Sequence, residues 1–200
     1  MSLIGRLAPK FVGKGYSPVQ KKFIDISLDQ YKGKYLLLNF YPFDFTFVCP
    51  TEIRALDKLK GEFQKRNCEL LVASCDSIHA HKAFVDTATQ HGGFDGNLSI
   101  DLLSDYTKTI GRDYGVLDHD GQFTHRGSFL IDPEQKLRAI NVTDTNVGRN
   151  MEEFVRLVEA FEFSAKNGDV CPAQWKKTGD ATLTNNHSDE KTKTFWKKSF

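Results

Sequence analysis

No stretch of this 200-residue chain approaches 18 consecutive apolar residues, so none reads as a membrane-spanning helix. Residues 1–11 lack both a long apolar run and a cleavage-site pattern; the segment reads as no targeting signal, and a cytosolic chain is expected. Neither sign of charge is in excess. The chain holds 27 Lys and Arg against 26 Asp and Glu, a net charge of +1, which leaves no basic footprint for nucleic acid or an anionic membrane. There is no Cys-x-x-Cys pair and no Cys/His run with zinc spacing, which argues against a dithiol oxidoreductase and a zinc module. In a reducing cytosol the four cysteines, Cys49, Cys68, Cys75 and Cys171, form no disulfide framework. They read as individual thiols, buried or reactive. The sequons at Asn97, Asn141 and Asn186 are chance matches in such a compartment. No internal repeat is visible.

What is present is an ordinary globular composition: 40% hydrophobic and 26% charged residues, with 16 Phe. A chain of this size buries roughly 70% of its unfolded surface, enough for a real core. Residues 35–41 and 69–75 are nearly continuous apolar runs, as in strands buried on both faces. Residues 50–66 carry Ile53, Leu56, Leu59 and Phe63 at helical spacing. Helices are predicted also over 77–90, 106–114 and 150–163, a short strand over 98–103, and a hairpin from 127–131 and 137–142 around Asp132-Pro133-Glu134-Gln135. Alternating strands and helices predict an α/β sandwich with a central mixed sheet, its first strands parallel through right-handed crossovers.

After about Asn167 the composition changes. Residues 176–200 hold six Lys against three acidic residues, and Leu183, Phe195, Trp196 and Phe200 are their large apolar residues. Two readings stand side by side: a solvated flexible tail, or an arm that docks on the body or on a partner subunit.

The most informative stretch is residues 41–52. Cys49 falls where a helix begins, and Pro50 suits the first helical position. Free N–H groups and the positive end of the helix dipole favour a thiolate there. Thr46, in the preceding loop, offers a hydroxyl to a thiolate or an oxygen substrate, and the surrounding aromatic residues would exclude water. A buried, inert cysteine is the competing reading.

The pattern Pro42-x-x-x-Thr46-x-x-Cys49 resembles the active-site signature of the peroxiredoxins, and 45–52 is similar to their typical 2-Cys class. Further matches are Arg126 to Asp132, Val147 to Asn150, and Gly168 to Trp175 around Cys171. The resemblance covers about residues 3–175. It implies a thioredoxin-like α/β fold, a central mixed sheet flanked by helices, with a C-terminal arm. The peroxidase domain would span 1–166 and the arm carrying the second cysteine 167–200.

By resemblance, Cys49 is the peroxidatic cysteine. Its thiolate attacks a hydroperoxide, hydrogen peroxide or an alkyl hydroperoxide, and becomes a sulfenic acid. Arg126 stabilises the thiolate and hydrogen-bonds the peroxide as charge develops on the leaving oxygen. Thr46 orients the peroxide and bonds the sulfur, Pro42 shields the thiolate, and Glu52 and Arg149 hold Arg126 in place. Cys171 resolves the sulfenic acid of the partner subunit, and a thioredoxin-like protein reduces the resulting disulfide. The resemblance further implies a homodimer, usually a decamer of five dimers, and no metal, haem or flavin. The alternative function is a holdase chaperone or peroxide-sensing redox relay.

Two segments depart from the family pattern. The sensitive members' Gly-Gly-Leu-Gly loop reads Gly92-Gly93-Phe94-Asp95-Gly96 here, and Phe195-Trp196 stands where they carry Tyr-Phe. The expectation is intermediate sensitivity to overoxidation. Cys75 reads as packing at a strand end and Cys68 as a bystander near a helix end. His79, His81, His91, His119 and His125 match no metal motif and are expected at the surface.

Overall fold

The computed structural model describes residues 2–177 and 181–199. The chain divides into two compact units, the first ending at Met151 and the second beginning at Glu152.

In the first unit, seven strands form one mixed sheet: β1 (Val12–Ser17), β2 (Lys22–Ser27), β3 (Tyr35–Phe40), β4 (Cys68–Ser74), β5 (Asp101–Ser104), β6 (Arg126–Ile131) and β7 (Leu137–Thr143). Their order across the sheet is β2-β1-β5-β4-β3-β6-β7. The central strands β5, β4 and β3 run parallel, as expected from the crossovers, and antiparallel pairs extend both sides. The crossovers carry α1 (Cys49–Gln64) and α2 (Ile78–Asp86); α3 (Thr109–Asp113) lies between β5 and β6.

Most expected elements are present with shifted ends. The helix expected over 77–90 stops at Asp86, because Thr87 turns to extended backbone and a short 3-10 turn, Thr89–His91, follows. The hairpin β1–β2 was not legible: its strand residues mix Gly, Lys and Ser, with little alternation. Gly15 belongs there for a tertiary reason, since a Cβ would lie 2.4 Å from Ile26 Cδ1.

β3 is buried along its whole length, with Leu36, Leu37 and Leu38 fully inaccessible. Each such Leu contributes roughly 1.5–3 kcal/mol relative to exposure. Phe40, Tyr114 and Phe129 form the aromatic centre of the core, with ring centroids 5.0–5.8 Å apart and edge-on or tilted geometry. This rigid strand delivers the chain to the loop before α1.

The second unit contains most of α4 (Met151–Asn167) and α5 (Glu190–Ser199). Between them Val170 and Leu183 pair as a β-bridge, Thr182 Oγ1 donates to Asp169 Oδ2 at 2.7 Å, and Lys191 pairs with the same carboxylate. Trp175 is buried and packs on Phe163 at 5.0 Å. The described part of the tail therefore has its own ties and a terminal helix, which its Lys- and Thr-rich composition did not announce.

Candidate active site

Cys49 opens α1, directly after the loop that leaves β3, and its side chain is fully buried. Val48 is the cap residue but supplies no side-chain acceptor, and Pro50 in the first turn needs no N–H partner. The first turn closes through Thr51 N and Glu52 N on Val48 O at 3.0 and 3.3 Å.

One charged side chain from a distant part of the sequence meets the sulfur, and two more hold it there. Arg126, at the start of β6, donates from Nη1 to Cys49 Sγ at 3.4 Å and to Glu52 Oε2 at 2.9 Å. Its Nε donates to Thr145 O at 2.9 Å, which fixes the plane of the guanidinium. Glu52 lies one helical turn beyond Cys49. Both its oxygens are bound by Arg149, through N at 2.8 Å and Nε and Nη2 at 2.9 Å. Arg149 Nη1 also donates to Ser128 Oγ at 2.8 Å, and that hydroxyl donates to Asn39 Oδ1 at 2.7 Å.

The side chains of Arg126, Glu52 and Arg149 are 4%, 3% and 2% exposed. Burial by itself raises the Glu52 carboxyl; the hydrogen bonds and charge of Arg149, with the charge of Arg126, outweigh it and hold the group below its ordinary range. Two buried guanidiniums against one carboxylate leave one positive charge over. That charge faces the Cys49 sulfur through Arg126 Nη1.

The remaining expected residues divide. Pro42 is buried beside the loop. The Thr46 hydroxyl donates to Phe43 O at 2.9 Å rather than to the sulfur. The loop aromatics do not close over the site as expected: Phe47 is 92% exposed and Phe45 52%. Phe45 is held at φ +56°, its ring on Phe84 at 5.2 Å.

Cys171 lies in the second unit, half-buried, its Sγ 3.6 Å from Ala160 O. Burial pushes its thiol up, Arg156 draws it back in part, and Asp169 adds to the rise. All four cysteines are free. Cys68 begins β4 and Cys75 follows it; burial pushes their thiols up to about 12 and about 11. Both are poor nucleophiles at neutral pH.

One expectation is corrected. His81 is not a surface residue but is fully buried. Its Nδ1 lies 2.9 Å from Asp44 Oδ2, and Tyr41 Oη donates to Asp44 Oδ1 at 2.7 Å. Asp44 N in turn donates to Asp76 Oδ2 at 2.9 Å. These contacts pin the loop that carries Thr46. The signal was available: His81 falls three and four residues before Phe84 and Val85, on the buried stripe of α2. Among the described residues, no group of three or more His, Cys, Asp or Glu could hold a metal ion.

A fold with a parallel βαβ centre, and a cysteine at a helix start against a buried Arg, define a thiol-based redox enzyme. The AhpC/TSA family profile matches residues 4–140, and that of the C-terminal domain of 1-Cys peroxiredoxin matches residues 160–198. The chain is 48% identical over 179 residues to peroxiredoxin prdx-2 of Caenorhabditis elegans, covering 90% of this chain and 88% of that one. It is 49% identical over 168 residues to a human protein named thioredoxin-dependent peroxide reductase, mitochondrial, covering 84% and 64%. The crystal structure of reduced Plasmodium vivax 2-Cys peroxiredoxin superposes with a TM-score of 0.87 at 42% identity, covering 91% and 93%. The chain belongs to the AhpC/TSA family of peroxiredoxins and is a thiol-dependent peroxidase with a thioredoxin-like fold. Among the described residues no helix is long and apolar enough to cross a membrane.

Proposed function

We propose that Cys49 is the peroxidatic cysteine, acting on hydrogen peroxide and alkyl hydroperoxides. The observation that carries this is the contact of Arg126 Nη1 with a fully buried sulfur, 3.4 Å away. The Cys49 thiolate attacks the terminal peroxide oxygen. The O–O bond breaks, sulfur loses two electrons, and the departing oxygen takes a proton to leave as water or an alcohol. Arg126 donates to the oxygens as negative charge moves onto the leaving one. The acceleration comes mainly from this stabilisation of the transition state. Glu52 and Arg149 hold the guanidinium, Thr46 orients the peroxide once its hydroxyl turns from Phe43 O, and Pro42 keeps water off the sulfur.

Cys171 of the partner subunit then resolves the sulfenic acid: the two sulfurs join and water leaves. A thioredoxin-like protein reduces the disulfide, a reading supported by the name of the human relative. The catalytic domain spans 1–166 and the resolving arm 167–200. A homodimer is supported by β7, an edge strand whose Ile140 and Val142 are exposed. A decamer is supported by the exposed cluster Phe43, Phe45 and Phe47. The location is cytoplasmic, and sensitivity to overoxidation is intermediate.

The test is one equivalent of hydrogen peroxide on reduced protein, read on a non-reducing gel and by intact mass. A covalent dimer joined through Cys49 and Cys171 is expected. Cys49→Ser is expected to abolish turnover; Cys171→Ser is expected to consume one peroxide and then stall. Unconsumed peroxide with an unchanged monomer would overturn the assignment.

A further inference from the structure

We infer that Ser128, held by Asn39, is a positioning residue for the peroxide step: its hydroxyl anchors Arg149 to the sheet and so keeps Arg126 aimed at the Cys49 sulfur. The inference rests on Cys49 being the peroxidatic residue.

The two residues stand out by where they sit. Asn39 on β3 and Ser128 on β6 are cross-strand partners in an antiparallel register, so their side chains share one face of the sheet. Both are buried, at 1% and 0% exposure. Their neighbours on that face, two residues away along each strand, are Leu37 and Leu130, both fully inaccessible. An apolar pair would fill such a place with no hydrogen bonds to satisfy. A buried amide and hydroxyl destabilise it unless their polar atoms find partners.

The hydrogen bonds they make run in one direction. Asn39 Nδ2 donates to Leu37 O at 3.3 Å, and a carbonyl oxygen only accepts, so Oδ1 is the amide atom turned to Ser128. The Ser128 proton is therefore given to Asn39 Oδ1 at 2.7 Å, and the oxygen lone pairs are left for Arg149 Nη1 at 2.8 Å. Arg149 is divided between two anchors. Its Nε and Nη2 hold the two oxygens of Glu52, and its Nη1 holds the sheet through Ser128. Ser128 also lies two residues after Arg126, on the same face of β6. Both guanidiniums that grip Glu52 are in this way tied to one strand.

This anchor has a consequence for the chemistry. Without the hydroxyl, one buried N–H of Arg149 is left unpaired and its fork rocks about the Glu52 carboxylate. Glu52 moves with it, and so does Arg126 Nη1, which is shared between Glu52 Oε2 and the sulfur. A misplacement of about 1 Å can cost about 100-fold in rate, so a smaller drift of the donor slows the peroxide step measurably. Attack of the same sulfur on iodoacetamide forms an S–C bond and expels iodide. No charge develops on a leaving oxygen there, and the aim of Arg126 does not enter.

The experiment compares Ser128→Thr with Ser128→Val in the reduced full-length protein. The two side chains match in volume, so any cost of added bulk is common to both and the hydroxyl is the difference. The second-order rate with hydrogen peroxide is read by stopped flow, and alkylation of Cys49 by iodoacetamide by peptide mass. Ser128→Thr is expected to keep the peroxide rate within about twofold; Ser128→Val is expected to lose about tenfold, the scale of one hydrogen bond to a charged group. Alkylation is expected to stay within about twofold in both, since no donor to an oxyanion is involved. Asn39→Ala keeps the hydroxyl but removes the acceptor of its proton; it is expected to slow the peroxide step about threefold, and it tests the same anchor if Ser128→Val does not fold. Equal peroxide rates in the Thr and Val variants, or peroxide and alkylation rates that fall together, would overturn the role of Ser128, as would an unchanged peroxide rate in Asn39→Ala. Peroxide consumption that survives Cys49→Ser would instead overturn the assignment of Cys49.

Discussion

One nitrogen of Arg126, Nη1, is shared between two side chains of α1: it lies 3.4 Å from Cys49 Sγ and 2.9 Å from Glu52 Oε2. Glu52 thus holds the guanidinium against the sulfur, and the two are fixed relative to each other by less than one helical turn. Arg126→Ala removes the donor that touches the sulfur and that we propose faces the reacting oxygens. The second-order rate with peroxide is expected to fall about 10²–10³-fold, the scale of one lost oxyanion donor. Stopped-flow measurement checks it, and an unchanged rate would remove Arg126 from the chemistry.

Glu52 carries the network's stability. Glu52→Ala leaves two buried guanidiniums without their carboxylate and is expected to cost about 3–5 kcal/mol in denaturant unfolding. The pH dependence follows from its lowered carboxyl. A group depressed in the folded state stabilises above its ordinary value of 4.5 and loses that contribution as pH falls through the folded value. Wild-type stability is expected to decline below pH 4.5, and Glu52→Gln to show a shallower decline.

Cys68 and Cys75 act in the opposite direction. Burial holds their thiols protonated up to about 12 and about 11, against an ordinary 9.0. The folded chain keeps protons that the unfolded chain has released, so this stabilisation is complete below pH 9.0 and is lost as pH rises toward 12. Alkylation at pH 8 is expected to leave both thiols unmodified in the native protein. A Cys68→Ala, Cys75→Ala double variant is expected to lose less stability between pH 9 and 11.

The Asp44–His81–Tyr41 cluster predicts a graded pair of effects. His81→Ala leaves one Asp44 oxygen without its buried partner and opens a cavity, at an expected cost of about 3 kcal/mol. Tyr41→Phe removes one hydrogen bond and keeps the ring, at about 1 kcal/mol. Urea unfolding of both variants checks the order; equal losses would count against Asp44 as the centre of the cluster.

The sequence by itself determined the parallel centre of the sheet, because β3 and β4 are nearly continuous apolar runs that suit a doubly covered strand position. It also placed Cys49 at a helix start, a local event written in Pro50 and the spacing of Ile53 and Leu56; the reactive role of that cysteine came through resemblance. Arg126 and Arg149 were legible through resemblance alone. Nothing local distinguishes them from solvated arginines, and only packing, which brings β6 and the segment after β7 against α1, gives them a buried carboxylate to share. The same holds for β1 and β2, whose strand character comes from the pairing of β1 with β5 and of β2 with β1, and not from alternation. Arg54 is the clearest case. On α1 it is one more polar position, and only chain topology brings the Gly93 carbonyl and the Phe94 ring, 39 and 40 residues away in sequence, within its reach.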